Sequence, residues 1–111
     1  IPEIELIPNH PDSESAFHIF PVMFRLDMLN ANRKLLYDCL IAENIGVNVH
    51  YIPIHTQPYY KNNFNFKKGD FPVAEDYYNR CLTLPLFPGM SLSDLDSVIE
   101  ALKKVISHFR L

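Results

Sequence analysis

The 111-residue sequence has no long hydrophobic run. Its apolar runs span only a few residues, whereas a membrane-spanning helix needs about 20. The first five residues, Ile-Pro-Glu-Ile-Glu, are acidic where a secretory signal would be basic. The sequence therefore predicts neither a membrane span nor a signal peptide.

Glycine and clustered positive charge are also scarce. The three glycines, Gly46, Gly69 and Gly89, are isolated from one another, so the chain lacks a Gly-rich phosphate-binding loop. The formal net charge is -3, and the lysines and arginines are scattered along the chain. A scattered pattern gives no electrostatic reason to expect nucleic acid as a partner.

Cysteine is limited to Cys39 and Cys81, which lie in different predicted elements. Both have apolar neighbours, so we expect buried thiols in a reducing, cytoplasmic environment and not a disulfide. Neither cysteine belongs to a nucleophile motif, and burial would make Cys39 inert.

The remaining composition is that of one globular domain, with 48% hydrophobic and 21% charged residues. The chain begins with Ile1, and residues 1–15 contain three prolines and no clear periodicity apart from a possible short edge strand near Ile4. We expect residues 1–15 to be a lead-in from an upstream large domain and residues 16–111 to form the domain itself.

Hydrophobic periodicity and turn residues predict an α+β fold with two layers, in which about three mainly antiparallel strands carry helices on one face. The predicted strands span 16–26, 47–52 and 81–87; the predicted helices span 33–43, 70–80 and 91–110; and 56–70 is predicted as a loop. Pro21 indicates an edge or a bulge in the first strand.

The last helix has the clearest signals. Ser91 and Asp94 have the spacing of a capping box. Apolar residues then recur at helical spacing and should anchor the core: Leu95, Val98, Ile99, Leu102, Val105, Ile106 and Phe109. Glu100 and Lys104 are spaced to form an ion pair on the outer face.

The segment from His50 to Tyr60 contains two imidazoles, three phenols, an amide and a hydroxyl. Such groups at a strand end favour the binding of a polar ligand, although an ordinary strand exit with surface aromatics explains them equally well. His50 and His55 are poorly spaced for one metal ion, and a small metalloprotein is a weaker alternative. Exposed aromatics in the 56–70 loop indicate a functional or interface-forming loop.

Several separated motifs carry a family resemblance: IGVNVHYIPIHTQPYY at 45–60, FPVAE at 71–75, LTLPLFPGMS at 82–91 and VIEAL at 98–102. With these motifs, residues 16–111 resemble the C-terminal part of the DegT/DnrJ/EryC1/StrS family of nucleotide-sugar aminotransferases. Within it, the chain looks most like the transaminases that make UDP-4-amino-4,6-dideoxy-N-acetyl-beta-L-altrosamine on the pseudaminic acid pathway.

The resemblance implies the C-terminal small domain of a fold type I transferase that depends on pyridoxal 5'-phosphate. Such an enzyme moves an amino group, typically from glutamate, to a 4-keto-6-deoxy nucleotide sugar in surface polysaccharide or glycan biosynthesis. It also implies a homodimer in which this domain closes the substrate side of the site held by the large domain.

Carried over by position, the resemblance implies substrate contacts from His50, Tyr51, Ile52 and Pro53, and places His55 near the sugar or cofactor. We expect His55→Ala in the intact parent to impair turnover and leave the fold intact. No lysine of the chain lies in the family's lysine motif, so no catalytic, cofactor or metal residue is assigned and no cofactor is expected on this chain alone. The alternative is a stand-alone, non-catalytic module for sugar-nucleotide binding or dimerisation.

Overall fold

The computed structural model describes residues 1–111 and contains a three-stranded antiparallel sheet. The strands are β1 (Ile4–Leu6), β2 (Phe20–Phe24) and β3 (Cys81–Leu84), and β2 lies between the other two. Ile4 pairs with Phe24, and Val22 pairs with Leu82. The predicted small antiparallel sheet is confirmed, and the residues predicted as a lead-in contribute its edge strand β1.

Pro21 lies in the central strand, contrary to the prediction of an edge or a bulge. The register explains how the sheet accommodates it. The β1 ladder ends with the pair Leu6–Val22, so β1 offers no strand partner for the missing N–H of Pro21. On the other side Pro21 faces Thr83, whose N–H and C=O pair with Asn48 instead.

The predicted strand over 47–52 is wrong. Only Asn48 joins the sheet, through an isolated bridge to Thr83 with N–O distances of 2.8 and 3.1 Å. Local bonds occupy the flanking donors, because Val47 N–H bonds to Ile45 C=O and Val49 N–H bonds to the Asn48 side chain at 2.7 Å. These bonds compete with a ladder and end the pairing after one residue.

Four α-helices complete the fold: α1 (Arg33–Ala42), α2 (Pro58–Phe64), α3 (Pro72–Arg80) and α4 (Leu92–Phe109). Asn32 caps α1 by accepting the Leu35 N–H at 2.9 Å. Ser91 and Asp94 form the predicted capping box of α4. The 56–70 segment was predicted as a loop, but Pro58 at its first helical position begins a short helix there.

Helices α1 and α4 pack against each other and form one core with the sheet. The 14 buried members of this core are Val22, Phe24, Leu29, Leu36, Leu40, Ile45, Val47, Leu82, Leu84, Val98, Ala101, Leu102, Val105 and Ile106. Cys81 is buried as predicted, whereas Cys39 of α1 is only half-buried and packs against the core. Lys104 of α4 pairs at 2.8 Å with Glu43, the C-cap residue of α1, and not with Glu100, so this ion pair connects α4 to the end of α1.

Candidate functional site

The segment from His50 to Tyr60 leaves the sheet beside Thr83. His50 lies half-buried there, with its Nδ1 2.9 Å from the Thr83 hydroxyl oxygen. Tyr77 of α3 donates its hydroxyl hydrogen to the His50 carbonyl oxygen at 3.3 Å. Burial raises the pKa of the Tyr77 hydroxyl, so this group stays protonated and remains a donor. The segment is thus fixed to both β3 and α3 before it turns outward.

Beyond His50 the chain presents an open apolar surface. Tyr51 is 70% exposed and Ile52 is 53% exposed, while Pro53 is half-buried. A shallow groove of about 650 Å³ lies here, lined by Tyr51, Pro53, Asp70, Phe71, Pro72, Val73, Ala74 and Tyr77. Two of the five predicted substrate residues, Tyr51 and Pro53, therefore line one groove with the start of α3.

His55 has a different environment, because only 6% of it is exposed. Its Nε2 lies 2.8 Å from Glu75 Oε1, and its ring packs 4.7 Å from that of Phe71. The Gly69 N–H donates to the same Glu75 oxygen at 2.7 Å. This N–H, and next His55, hold the pKa of Glu75 below its ordinary value. We therefore expect His55→Ala to disturb packing as well, contrary to the prediction of an intact fold.

The aromatics predicted to be exposed on a loop stack on one another. Phe64 stacks on Phe66 at 5.7 Å, and Phe66 meets Phe71 edge-on at 5.2 Å. Tyr59 and Phe64 remain mostly exposed. A row of aromatic rings thus extends from Phe64 of α2 through Phe66 to Phe71, which packs against the His55 ring.

Glu75, Gly69 and Tyr77 take part in this site and were not identified from the sequence. Glu75 lies in the first turn of α3, where the helix dipole already favours an acid, so its position alone does not indicate a contact with His55. Glu75 belongs to the FPVAE motif, and that motif was the available signal. A partner 20 residues from His55 is identified only by the fold.

The chain's own groups suit binding better than covalent chemistry. All six lysines are exposed, Lys34 and Lys104 are paired with acids, and no lysine lines the groove. An aldehyde cofactor requires a lysine amine that is deprotonated in an enclosed site, so these lysines do not fit that role.

Burial raises the pKa of the Cys81 thiol and makes it a poor nucleophile. No three His, Cys, Asp or Glu side chains gather in an arrangement for a metal ion.

The profile of the DegT/DnrJ/EryC1/StrS aminotransferase family matches residues 1–103. The chain belongs to this family. The spore coat polysaccharide biosynthesis protein SpsC of Bacillus subtilis is 41% identical over 98 residues, covering 87% of this chain and 25% of SpsC. The chain therefore spans about a quarter of the length of the curated relatives it matches.

Solved structures described as aminotransferases share the fold. The sugar aminotransferase Spr1654 of Streptococcus pneumoniae, in its PMP form, superposes with a TM-score of 0.82 at 27% identity, covering 96% of this chain and 26% of Spr1654. Helicobacter pylori PseC, an aminotransferase of pseudaminic acid biosynthesis, superposes with a TM-score of 0.73 at 25% identity. The superposition covers 83% of this chain and 24% of PseC. The predicted aminotransferase fold is confirmed. No helix of the chain combines the length and apolarity needed to cross a membrane.

Proposed function

We propose that this chain is the small domain of a sugar-nucleotide aminotransferase and closes the substrate side of its active site. The family match over residues 1–103, in a chain that spans a quarter of its relatives, is the observation that carries this proposal. We call the longer polypeptide the parent enzyme. Its remainder would be a large domain that residues 1–15 connect to this one. The parent is expected to act in the cytoplasm as a homodimer.

The cofactor belongs to that large domain in this proposal. Pyridoxal 5'-phosphate supplies the electron sink for amino transfer when bound there. The lysines of this chain are all exposed, which supports placing the cofactor-binding lysine in the large domain. This chain would contribute binding, orientation and exclusion of water, and no bond-breaking step of its own.

The substrate is proposed to be a 4-keto-6-deoxy nucleotide sugar, with glutamate as amino donor. The similarity to PseC supports a sugar of the pseudaminic acid type, and the similarity to SpsC supports a role in polysaccharide synthesis. Within the chain, the segment His50–Pro53 would meet the nucleotide sugar, and His55 would lie behind the groove. The exposed ring of Tyr51 is suited to stack on a sugar or base face.

The substitution Tyr51→Ala in the parent enzyme tests this function. Loss of one aromatic contact of about 1.4 kcal/mol should raise KM for the nucleotide sugar about tenfold, with kcat little changed. Phe17→Ala removes another exposed aromatic that does not line the groove and serves as the control. Steady-state kinetics with varied nucleotide sugar give the answer, and an unchanged KM in Tyr51→Ala would remove this segment from the substrate site.

The alternative of a stand-alone binding or dimerisation module predicts different behaviour. Calorimetry would then detect a sugar nucleotide bound to the 111-residue chain alone, or sedimentation would show a stable dimer. A coding sequence that continues upstream with a lysine in the family's motif supports the aminotransferase.

A further inference from the structure

The His55 side chain is held at one ring nitrogen and free at the other. Nε2 faces the Glu75 carboxylate at 2.8 Å. Nδ1 makes no hydrogen bond within the chain, yet it is not sealed from the surface, because Glu3 Oε2 is the only sealed side-chain polar atom without a partner. A residue that is 94% buried therefore keeps one polar atom without a hydrogen-bond partner in the chain.

The partner determines which nitrogen carries the proton. An ionised carboxylate only accepts hydrogen bonds, so in neutral His55 the proton lies on Nε2 and the lone pair lies on Nδ1. The Gly69 N–H donates to the same oxygen and favours the ionised form of Glu75. The ring is also fixed on one side by Phe71, which lines the groove beside Tyr51.

We propose that Glu75 is a positioning residue that holds His55 with Nδ1 as an acceptor for a hydroxyl or N–H group of the nucleotide sugar. This inference rests on the proposed function, because it assumes that the substrate site includes His55. A carboxylate that orients a functional histidine fixes both its tautomer and its direction. Glu75 itself touches no substrate.

Nuclear magnetic resonance of the 111-residue chain tests the orientation directly. The ring nitrogen shifts of His55 should show the proton on Nε2 in the wild type and in Glu75→Gln, whose amide oxygen still accepts. Glu75→Met keeps the side-chain length and removes the acceptor, so both tautomers should appear. A wild-type proton on Nδ1, or identical spectra for wild type and Glu75→Met, would overturn the proposal.

Kinetics of the parent enzyme test the consequence. Glu75→Met should raise KM for the nucleotide sugar about tenfold, which corresponds to the loss of one hydrogen bond from a misoriented His55, while kcat changes little. Glu75→Gln should restore most of this loss. Asp76→Asn removes a neighbouring acid that pairs with Arg80 and should leave KM unchanged.

The outcomes separate this inference from the proposed function. A raised KM in Tyr51→Ala together with an unchanged KM in Glu75→Met would refute the role of Glu75 and retain the substrate site. Unchanged KM in both variants would refute both. A raised KM in Glu75→Met that Glu75→Gln rescues supports the positioning role.

Discussion

Glu3 is a buried carboxylate near the start of the chain. It is 2% exposed, and its Oε1 accepts a hydrogen bond from Arg110, 107 residues away. Its Oε2 is sealed without a partner. The Arg110 hydrogen bond holds the pKa of Glu3 below its ordinary value despite the opposing effect of burial. A buried carboxylate with one charged partner makes stability depend on that partner and on pH.

We expect the Glu3 carboxylate to make the free energy of unfolding decrease as the pH is lowered. Because its pKa is lower in the folded chain, its contribution is fully present above the unfolded pKa and disappears as pH falls through the folded value. Denaturant unfolding between about pH 6 and pH 2 should show a smaller loss of stability on acidification in Glu3→Gln than in the wild type. Glu14→Gln, which removes an exposed acid outside any ion pair, is the control. Parallel profiles for wild type and Glu3→Gln would contradict this assignment.

At the scale of the element, the start of α4 depends on two side chains. The Ser91 hydroxyl oxygen accepts the Asp94 N–H at 3.1 Å, and the Asp94 carboxylate accepts the Ser91 N–H at 2.9 Å. The Ser91 hydroxyl also donates to the Asp94 carboxylate at 2.6 Å, and this bond, followed by the one from the Ser91 N–H, lowers the pKa of Asp94. This reciprocal cap satisfies donors that a helix leaves free in its first turn.

Ser91→Ala should lower the free energy of unfolding by about 1 kcal/mol, because an orphan N–H loses its acceptor. Ser93→Ala lies two residues further along and removes an exposed hydroxyl outside the cap, so its effect should stay within about 0.5 kcal/mol. Urea titrations of the three proteins measure the difference. Equal stability of the two variants would show that the capping box contributes nothing.

At the scale of the whole molecule, one apolar core joins the sheet to α1 and α4. Leu36 and Leu40 of α1 are fully buried and belong to the same apolar cluster as Val22 and Leu82 of the sheet and Leu102 of α4. A separate apolar and aromatic surface around Tyr51 and Phe64 stays exposed in this chain. The core stabilises the fold, and the exposed surface includes the groove beside Tyr51.

Leu40→Ala should lower the free energy of unfolding by about 2–5 kcal/mol, because it removes buried methyl groups and leaves a cavity. Leu92→Ala makes the same chemical change at a residue that is 80% exposed and should alter stability by about 0.5 kcal/mol or less. Thermal and chemical unfolding of both variants provide the comparison. A mild effect of Leu40→Ala would mean that α1 is not part of the core.

The sequence by itself determined the elements whose signals are local. The capping box and the apolar stripe of α4 depend on residues within a few turns of one another, so α4 was predicted correctly, although Leu95 at the start of the predicted stripe is 44% exposed. The start of α1 at Arg33 was also predicted correctly. The family motifs likewise indicated the aminotransferase fold, which the structural similarities confirm.

Only the tertiary structure decided the contacts between distant residues. The pairs His55–Glu75, Lys104–Glu43 and Glu3–Arg110 are separated by 20, 61 and 107 residues. Two local hydrogen bonds beside Asn48, one to its side chain and one within the backbone, also replaced a strand that alternation had predicted. Periodicity describes which face of an element is apolar, whereas the partner of a polar group depends on how the elements pack. The groove, and the buried histidine behind it, exist for that reason only in the folded chain.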